Sequence, residues 1–151
     1  MELLFWLSAL LIVYIYIGYP ILLRYLPKRP AVQSVELNEL PTVTILIPAF
    51  NEAAVIGQTI QNKLSQDYPS DRLEIIVISD ESEDATDDIV KEIAAQDPRV
   101  RLVRQVPRQG KTSGLNLAMP HANGEIVIFS DANSHYQSDA VRQLVNCFND
   151  P

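Results

Sequence analysis

The sequence predicts an α/β protein: an N-terminal transmembrane helix followed by an open parallel sheet covered by helices. Two observations carry this. Leu3 to Leu23 are 21 consecutive residues without a charge. Beyond Pro41, four short apolar runs alternate with four stretches of helical periodicity. Such alternation implies parallel strands joined by right-handed crossovers.

The apolar run comes first. At about 1.5 Å per residue it spans about 32 Å, enough for a hydrocarbon core of about 30 Å. Only Met1 and Glu2 precede it, and Tyr25–Pro30 has no small-residue cleavage pattern, so it does not read as a signal peptide. Arg24, Lys28 and Arg29 follow it, which places the N-terminus outside and the following domain in the cytoplasm. Gly18 and Pro20 are tolerated in a membrane helix and predict a kink. The transmembrane helix is assigned to residues 3–26. Pro27, Pro30 and Pro41 then mark a linker, 27–41, with room for a short helix.

From Ala31 on, nine Lys/Arg face eighteen Asp/Glu, a net −9 against −7 for the whole chain. This acidic balance excludes a general nucleic-acid binder. One cysteine, Cys147, excludes a disulfide framework or a cysteine zinc cluster.

Within residues 42–151, Thr42–Pro48 is a β-rich apolar run bounded by prolines and reads as a buried strand. Asn51 is then placed to cap a helix with Ile56, Ile60 and Leu64 on one face. Leu73–Ser79 is a second strand. Asp84 is placed to cap a helix striped by Ile89, Val90 and Ile93, and Ser82 also reads as a cap. Val100–Gln105 is a weaker strand whose arginines suit an edge. Thr112–Met119 reads as a short helix ended by Pro120. Gly124–Ser130 is the fourth strand. Ser138 is placed to cap a last helix carrying Val141, Leu144, Val145 and Phe148.

In open parallel sheets, ligands bind outside the carboxyl ends of the strands. Here those ends carry Pro48-Ala49-Phe50-Asn51-Glu52, then Asp80-Glu81-Ser82, then Gly110-Lys111, then Asp131-Ala132-Asn133. Capping explains some of these. It explains Asp131 poorly, because the next convincing helix starts seven residues later. A carboxylate followed two residues on by an amide oxygen suits a hard divalent cation, which would bridge phosphates. Gly110-Lys111-Thr112 matches the end of a P-loop, but Gln105 stands at its leading glycine and Pro107 and Arg108 replace a glycine-rich loop. A phosphoacceptor receiver domain would carry its acidic pair after the first strand, where this chain has PAFNE.

The four segments Pro48–Glu52, Ile76–Asp84, Gly110-Lys111 with Gly114-Leu115-Asn116, and Phe129–Ser134 together resemble the inverting family 2 glycosyltransferases. The resemblance covers residues 41–151. It implies a GT-A fold whose Rossmann-like part holds a nucleotide sugar. Pro48, Ala49 and Glu52 would lie against the nucleotide, and Asp80 would contact its uracil or ribose. Lys111 would sit near the diphosphate and sugar. Asp131 and Asn133 stand at the D-x-D metal motif, implying Mg²⁺ or Mn²⁺ as cofactor. The implied reaction transfers a sugar, expected to be UDP-linked, to an acceptor hydroxyl with inversion. The acceptor would be a glycan or a lipid-linked molecule, in polysaccharide or glycan synthesis at a membrane.

Two positions depart from the family pattern. Asn133 replaces the second Asp, which removes one negative charge from the metal motif. Glu81 replaces a glycine, and a glutamate does not readily adopt the positive φ that glycine allows. The family's catalytic base comes from a later acidic motif. No residue up to Pro151 is a candidate for it, so none is assigned and the catalytic residue stays unknown. Residues 42–151 are therefore expected to be the nucleotide-binding half of a larger domain. The competing reading is a membrane-anchored nucleotide-binding module without complete activity. His121 and His135 are read as surface or packing residues, and Cys147, on the last helix, as a packing residue.

Overall fold

The computed structural model describes residues 1–26 and 40–149. It divides into two units, the N-terminal helix and the α/β part. The expected linker lies outside the described residues except for Leu40 and Pro41.

The N-terminal unit is one helix, Glu2–Tyr25, long and apolar enough to cross a membrane. It comprises α1 (Glu2–Val13), a π-helical stretch at Tyr14–Gly18 and α2 (Tyr19–Tyr25). The wide stretch falls just before Pro20. Proline offers no N–H and its ring crowds the carbonyl four residues back. A π turn absorbs that misfit, so the irregularity expected from Gly18 and Pro20 takes this form.

The second unit is built on four parallel strands: β1 (Val43–Ala49), β2 (Leu73–Asp80), β3 (Val100–Gln105) and β4 (Ile126–Phe129). Their order is β3-β2-β1-β4. β1 pairs with β2 from Val43↔Leu73 to Ala49↔Ser79, and with β4 only from Val43↔Ile126 to Leu46↔Phe129. The helices are α3 (Ile56–Leu64), α4 (Thr86–Gln96), α5 (Lys111–Ala118) and α6 (Ala140–Asn146). The fold class and element order are those the sequence predicts, and β3 takes the edge its arginines suited.

The strands read as continuous apolar runs because helices pack on both faces. On one face Ile45, Ile47, Ile75 and Val77 join Ile56 and Ile60 of α3, Val90 of α4, and Val141 and Val145 of α6. On the other, Leu46, Ile76 and Ile78 meet Ala118 and Leu115 of α5. At the amino end of this second face Glu74 accepts from the Thr44 hydroxyl at 2.5 Å and the Asn123 amide at 2.6 Å, and pairs with Arg101 at 2.7 Å. Burial opposes its charge, but these bonds outweigh it and hold its pKa below the usual carboxylate value.

The expected caps are corrected at α3 and α6. Helix α3 starts at Ile56 after Val55 and α6 at Ala140 after Asp139, neither with a side-chain cap. Asn51 and Ser82 instead bond across between their loops, because the ends of β1 and β2 lie side by side. Asp84 does serve the start of α4 at Thr86, whose amide donates to its carboxylate at 2.9 Å, and it also accepts across the gap from the Ala53 amide at 3.1 Å. Ser138 uses its main-chain carbonyl, which accepts from the Asp67 amide at 2.7 Å. On α6, Val141 and Val145 are buried and Leu144 is exposed; in the turn beyond it Phe148 is exposed, and so is Cys147, which corrects the expectation that it packs.

Candidate functional site

The strand order reverses between β1 and β4, since β2 and β3 lie to one side of β1 and β4 to the other. Open α/β sheets bind ligands at such a switch point. Here β4 stops opposite Leu46 while β1 runs on to Ala49. The early exit of β4 leaves a crevice at the carboxyl edge. Its cavity, about 380 Å³, is lined by Pro48, Ala49, Phe50, Glu52, Asp80, Arg108, Gly110, Lys111, Asp131, Ala132 and Asn133. Every residue singled out from the sequence for the nucleotide or the metal therefore meets here. A second cavity of about 380 Å³ lies at the amino ends, around Thr42, Ser70, Arg72, Arg99 and Gly124. Its Arg99 is already paired with Asp97 at 2.7 Å, and no predicted site residue borders it.

The first two strand ends are tied together by side chains. The Asn51 amide donates to the Ser82 hydroxyl at 3.2 Å, and the Asn51 side-chain oxygen accepts from the Glu83 amide at 2.8 Å. The Glu52 amide donates to the Thr86 hydroxyl at 2.8 Å, and the Ala53 amide to Asp84 at 3.1 Å. This stitching holds Asn51 and Glu81 in the left-handed region, at φ 54° and 59°. Asparagine tolerates that conformation; glutamate does so at a cost of about 1–2 kcal/mol. Glu81 thus keeps a backbone shape suited to the glycine it replaces. Its carboxylate accepts from the Arg108 amide at 2.8 Å, which offsets some of the strain.

Asp80 is buried and does not stand free in the cavity. It accepts from the Gln109 amide at 3.0 Å, the Gly110 amide at 2.9 Å and the Gln105 side-chain amide, and lies 3.5 Å from Arg108 Nε. Burial alone would raise its pKa. The bonds from Gln109, Gln105 and Gly110, with the Arg108 charge, win and lower it. Asp80 therefore shapes the loop 106–110 that forms one wall. The Arg108 guanidinium stacks on that wall 3.5 Å from the centre of the Phe50 ring.

The same loop delivers Lys111. Gly110 has φ 87°, a turn that only glycine makes without strain, and it starts α5. Gly114 lets α5 lie close on the sheet, since a Cβ there would come within 2.9 Å of Ile78 Cγ2. The Lys111 ammonium then reaches Asp131 at 2.5 Å, with both side chains more than half exposed. Among the described residues, no cluster of three or more His, Cys, Asp or Glu forms a metal cage. Asp131 and Asn133 line the cavity as oxygen donors. That set fits a hard cation that shares its shell with phosphate and water. His121 and His135 are exposed and do not line the cavity.

Gln105, Arg108 and Lys63 were not singled out from the sequence. Gln105 is buried and bonds Asp80. Its signal was faint, a polar residue ending an edge strand. Arg108 meets Phe50 only through the folded loop, which no local spacing reveals.

Comparison with known proteins places the site in context. The family model described as glycosyl transferase family 2 matches residues 44–151. The chain is 41% identical over 112 residues to a probable glycosyltransferase, YdaM, of Bacillus subtilis (strain 168), covering 72% of this chain and 27% of that protein. It is 35% identical over 113 residues to a beta-monoglucosyldiacylglycerol synthase of Synechocystis sp., covering 74% of this chain and 24% of that one. The chain thus spans about a quarter of the length of these curated relatives. Among solved structures, a mannosyltransferase, PcManGT, of Pyrobaculum calidifontis, in complex with GDP-Man and Mn²⁺, superposes with a TM-score of 0.75 at 34% identity. That match covers 93% of this chain and 42% of the other.

Asp80 gives a testable prediction. Asp80→Asn should lower stability at pH 7 by about 1–3 kcal/mol, because two main-chain donors lose a charged acceptor. The folded pKa is depressed below 3.8, so the charge stabilises the fold above that value and ceases to as pH falls through the folded pKa. Thermal melts should show the wild-type advantage shrinking below pH 3.8. An advantage that persists unchanged to pH 2 would contradict this account.

Proposed function

Given that this chain belongs to glycosyl transferase family 2, we propose that residues 42–151 bind the nucleotide diphosphate sugar donor of an inverting sugar transfer. One observation carries the reading: the crevice at the β1/β4 switch point gathers Pro48, Ala49, Glu52, Asp80, Lys111, Asp131 and Asn133 from all four strand ends.

The roles follow from the geometry. The Pro48–Glu52 turn and the Phe50–Arg108 stack offer a flat wall to the nucleoside. Asp80 keeps that wall in place through the loop 106–110 and is close enough to the cavity to meet the ribose or base. Lys111 is an exposed cation, which suits the diphosphate once it exchanges Asp131 for a phosphate oxygen. Asp131 and Asn133 would hold Mg²⁺ or Mn²⁺ together with the phosphates. When bound, that cation supplies positive charge against the departing diphosphate. The mannosyltransferase was solved with GDP-Man and Mn²⁺, which supports a divalent cation in the family. Asn133 contributes an oxygen without a charge, so the phosphates carry more of the binding. The sugar leaves the diphosphate as the acceptor hydroxyl attacks from the opposite side. The acceptor's proton is assigned to no residue of this chain.

The sequence resemblance favours a UDP-sugar, and the mannosyltransferase was solved with GDP-Man, so both are tested. The acceptor is a glycan or a lipid-linked molecule. The synthase from Synechocystis, named for a glucosylated diacylglycerol, supports a lipid acceptor. The helix Glu2–Tyr25 fits a membrane span, and Arg24 in its last turn, with Lys28 and Arg29 next in the sequence, supports a cytoplasmic site by the positive-inside rule.

Calorimetry on the purified chain with UDP or GDP and Mn²⁺ should show binding, weakened at least about tenfold in Asp131→Ala, the scale of a lost charged contact. No binding of either nucleotide, or equal binding in the variant, would overturn the donor site. For topology, the exposed Cys147 is a natural reporter. A membrane-impermeant maleimide should label it only after cells are permeabilised. Labelling in intact cells would place the domain outside.

A further inference from the structure

Helix α3 contains a lysine that the donor site does not explain. Lys63 has 0% exposure, on a residue type almost never fully buried unless paired. Among the described residues no carboxylate pairs with it. Its ammonium donates to the Ser134 carbonyl at 2.6 Å and to the Asn62 side-chain oxygen at 3.3 Å, and lies 3.5 Å from the centre of the Tyr136 ring. Desolvation lowers its pKa to about 8. Burying an ammonium without a counter-ion is costly, and a Met or Leu would fill the space more cheaply.

The neighbours on α3 show what the lysine serves. Thr59 and Asn62 lie four and one residues before it, so Thr59 shares its face one turn back. The buried Thr59 hydroxyl donates to the Ala132 carbonyl at 2.6 Å. Asn62 donates to the Tyr136 carbonyl at 3.0 Å and accepts from the Tyr136 amide at 2.7 Å. Three side chains of α3 thus take the main chain at residues 132, 134 and 136. These are the residues that interleave with and follow Asp131 and Asn133. The segment 131–137 lies between β4 and α6 and is pinned by main-chain bonds at its two ends, where the Ser130 amide donates to the Leu46 carbonyl at 2.9 Å and the Ser138 carbonyl accepts from the Asp67 amide at 2.7 Å. Its own bonds are short-range: Ser134 donates to the Asp131 carbonyl at 2.9 Å and shares a hydroxyl contact with Ser130 at 2.8 Å. Between those two ends, the long-range bonds to its main chain among the described residues come from α3.

We infer that Lys63, with Thr59 and Asn62, positions the segment carrying Asp131 and Asn133, so that both oxygens face one cation beside the diphosphate. These are positioning residues, acting through the main chain of residues 132–136 and not by touching the donor. The inference rests on the donor-site reading above.

The test uses the full chain in detergent, Lys63→Met, which keeps volume and removes the ammonium, and Thr59→Val, which is isosteric and spares the fold. Val90→Ala, in α4 and away from the site, serves as a control for general destabilisation. Two quantities are read: hydrogen exchange in peptides spanning residues 131–138, and the Kd for UDP-glucose or GDP-mannose with Mn²⁺ and with EDTA. Both clamp variants should exchange faster in that segment while β1 and β2 stay protected. Their Kd with Mn²⁺ should rise about tenfold, as when an outer-shell partner of a metal ligand is lost, and their Kd in EDTA by less than about twofold. Val90→Ala should leave the ratio of the two Kd values unchanged. If Lys63→Met does not fold, Thr59→Val alone decides. Unchanged exchange, an unchanged Mn²⁺ Kd, or an equal loss with Mn²⁺ and EDTA overturns the inference and leaves the donor site standing. If the wild type binds neither nucleotide sugar, the donor-site reading falls and this inference with it.

Discussion

The architecture depends on β1 being paired on both sides. Hydrogen bonding to β2 along its whole length and to β4 along its first half does two things. It buries β1, with Val43, Ile45, Leu46 and Ile47 all at 1% exposure or less. It also forces all four carboxyl ends to one edge, because every pairing is parallel. The unequal lengths of the two ladders then open the crevice. A strand that paired fully with both neighbours would close the gap where Asp131 leaves the sheet.

Once the edge exists, the cost of holding polar loops there is met locally. Asn51 and Glu81 both adopt left-handed backbone, and cross-loop bonds among Asn51, Ser82, Asp84 and Thr86 stabilise them. Asp80 spends its acceptor capacity on the loop 106–110, which lets that loop carry Arg108 over Phe50 and feed Lys111 into the crevice. On the far side α3 braces residues 132–136. The crevice is thus walled by two segments without regular structure, each fixed by buried side chains from a neighbouring element. Lys111 and Asp131 are the exposed pair between them.

Much of this was legible in the sequence. Strand positions followed from apolar runs such as Leu73–Ser79, whose burial on both faces needs no alternation. The site followed from topology, because parallel strands make every strand end a neighbour. What escaped was whatever depended on one loop meeting another. Asn51 and Ser82 look like caps until β1 and β2 are side by side, when each finds a better partner across the gap. Glu81 looked ill-suited to a glycine turn, since nothing local shows that its carboxylate would be met by the Arg108 amide. Lys63 reads as a solvent-facing helical lysine, and only the path of residues 132–136 over α3 buries it. Cys147 reads as a packing residue of the last helix, but α6 ends at Asn146 and leaves it exposed.

On the proposed reading, Asp131 and Lys111 stand at the diphosphate end of a donor site in the β1/β4 crevice. Anomalous diffraction from crystals of the chain grown with Mn²⁺ and a nucleotide diphosphate sugar tests this most directly. The expected result is a Mn²⁺ peak about 2.1 Å from an Asp131 carboxylate oxygen, the bond length of a small hard cation. The Lys111 ammonium should also have left Asp131 for a phosphate oxygen. A nucleotide bound outside the crevice, or Lys111 still paired with Asp131 beside a bound diphosphate, would contradict it.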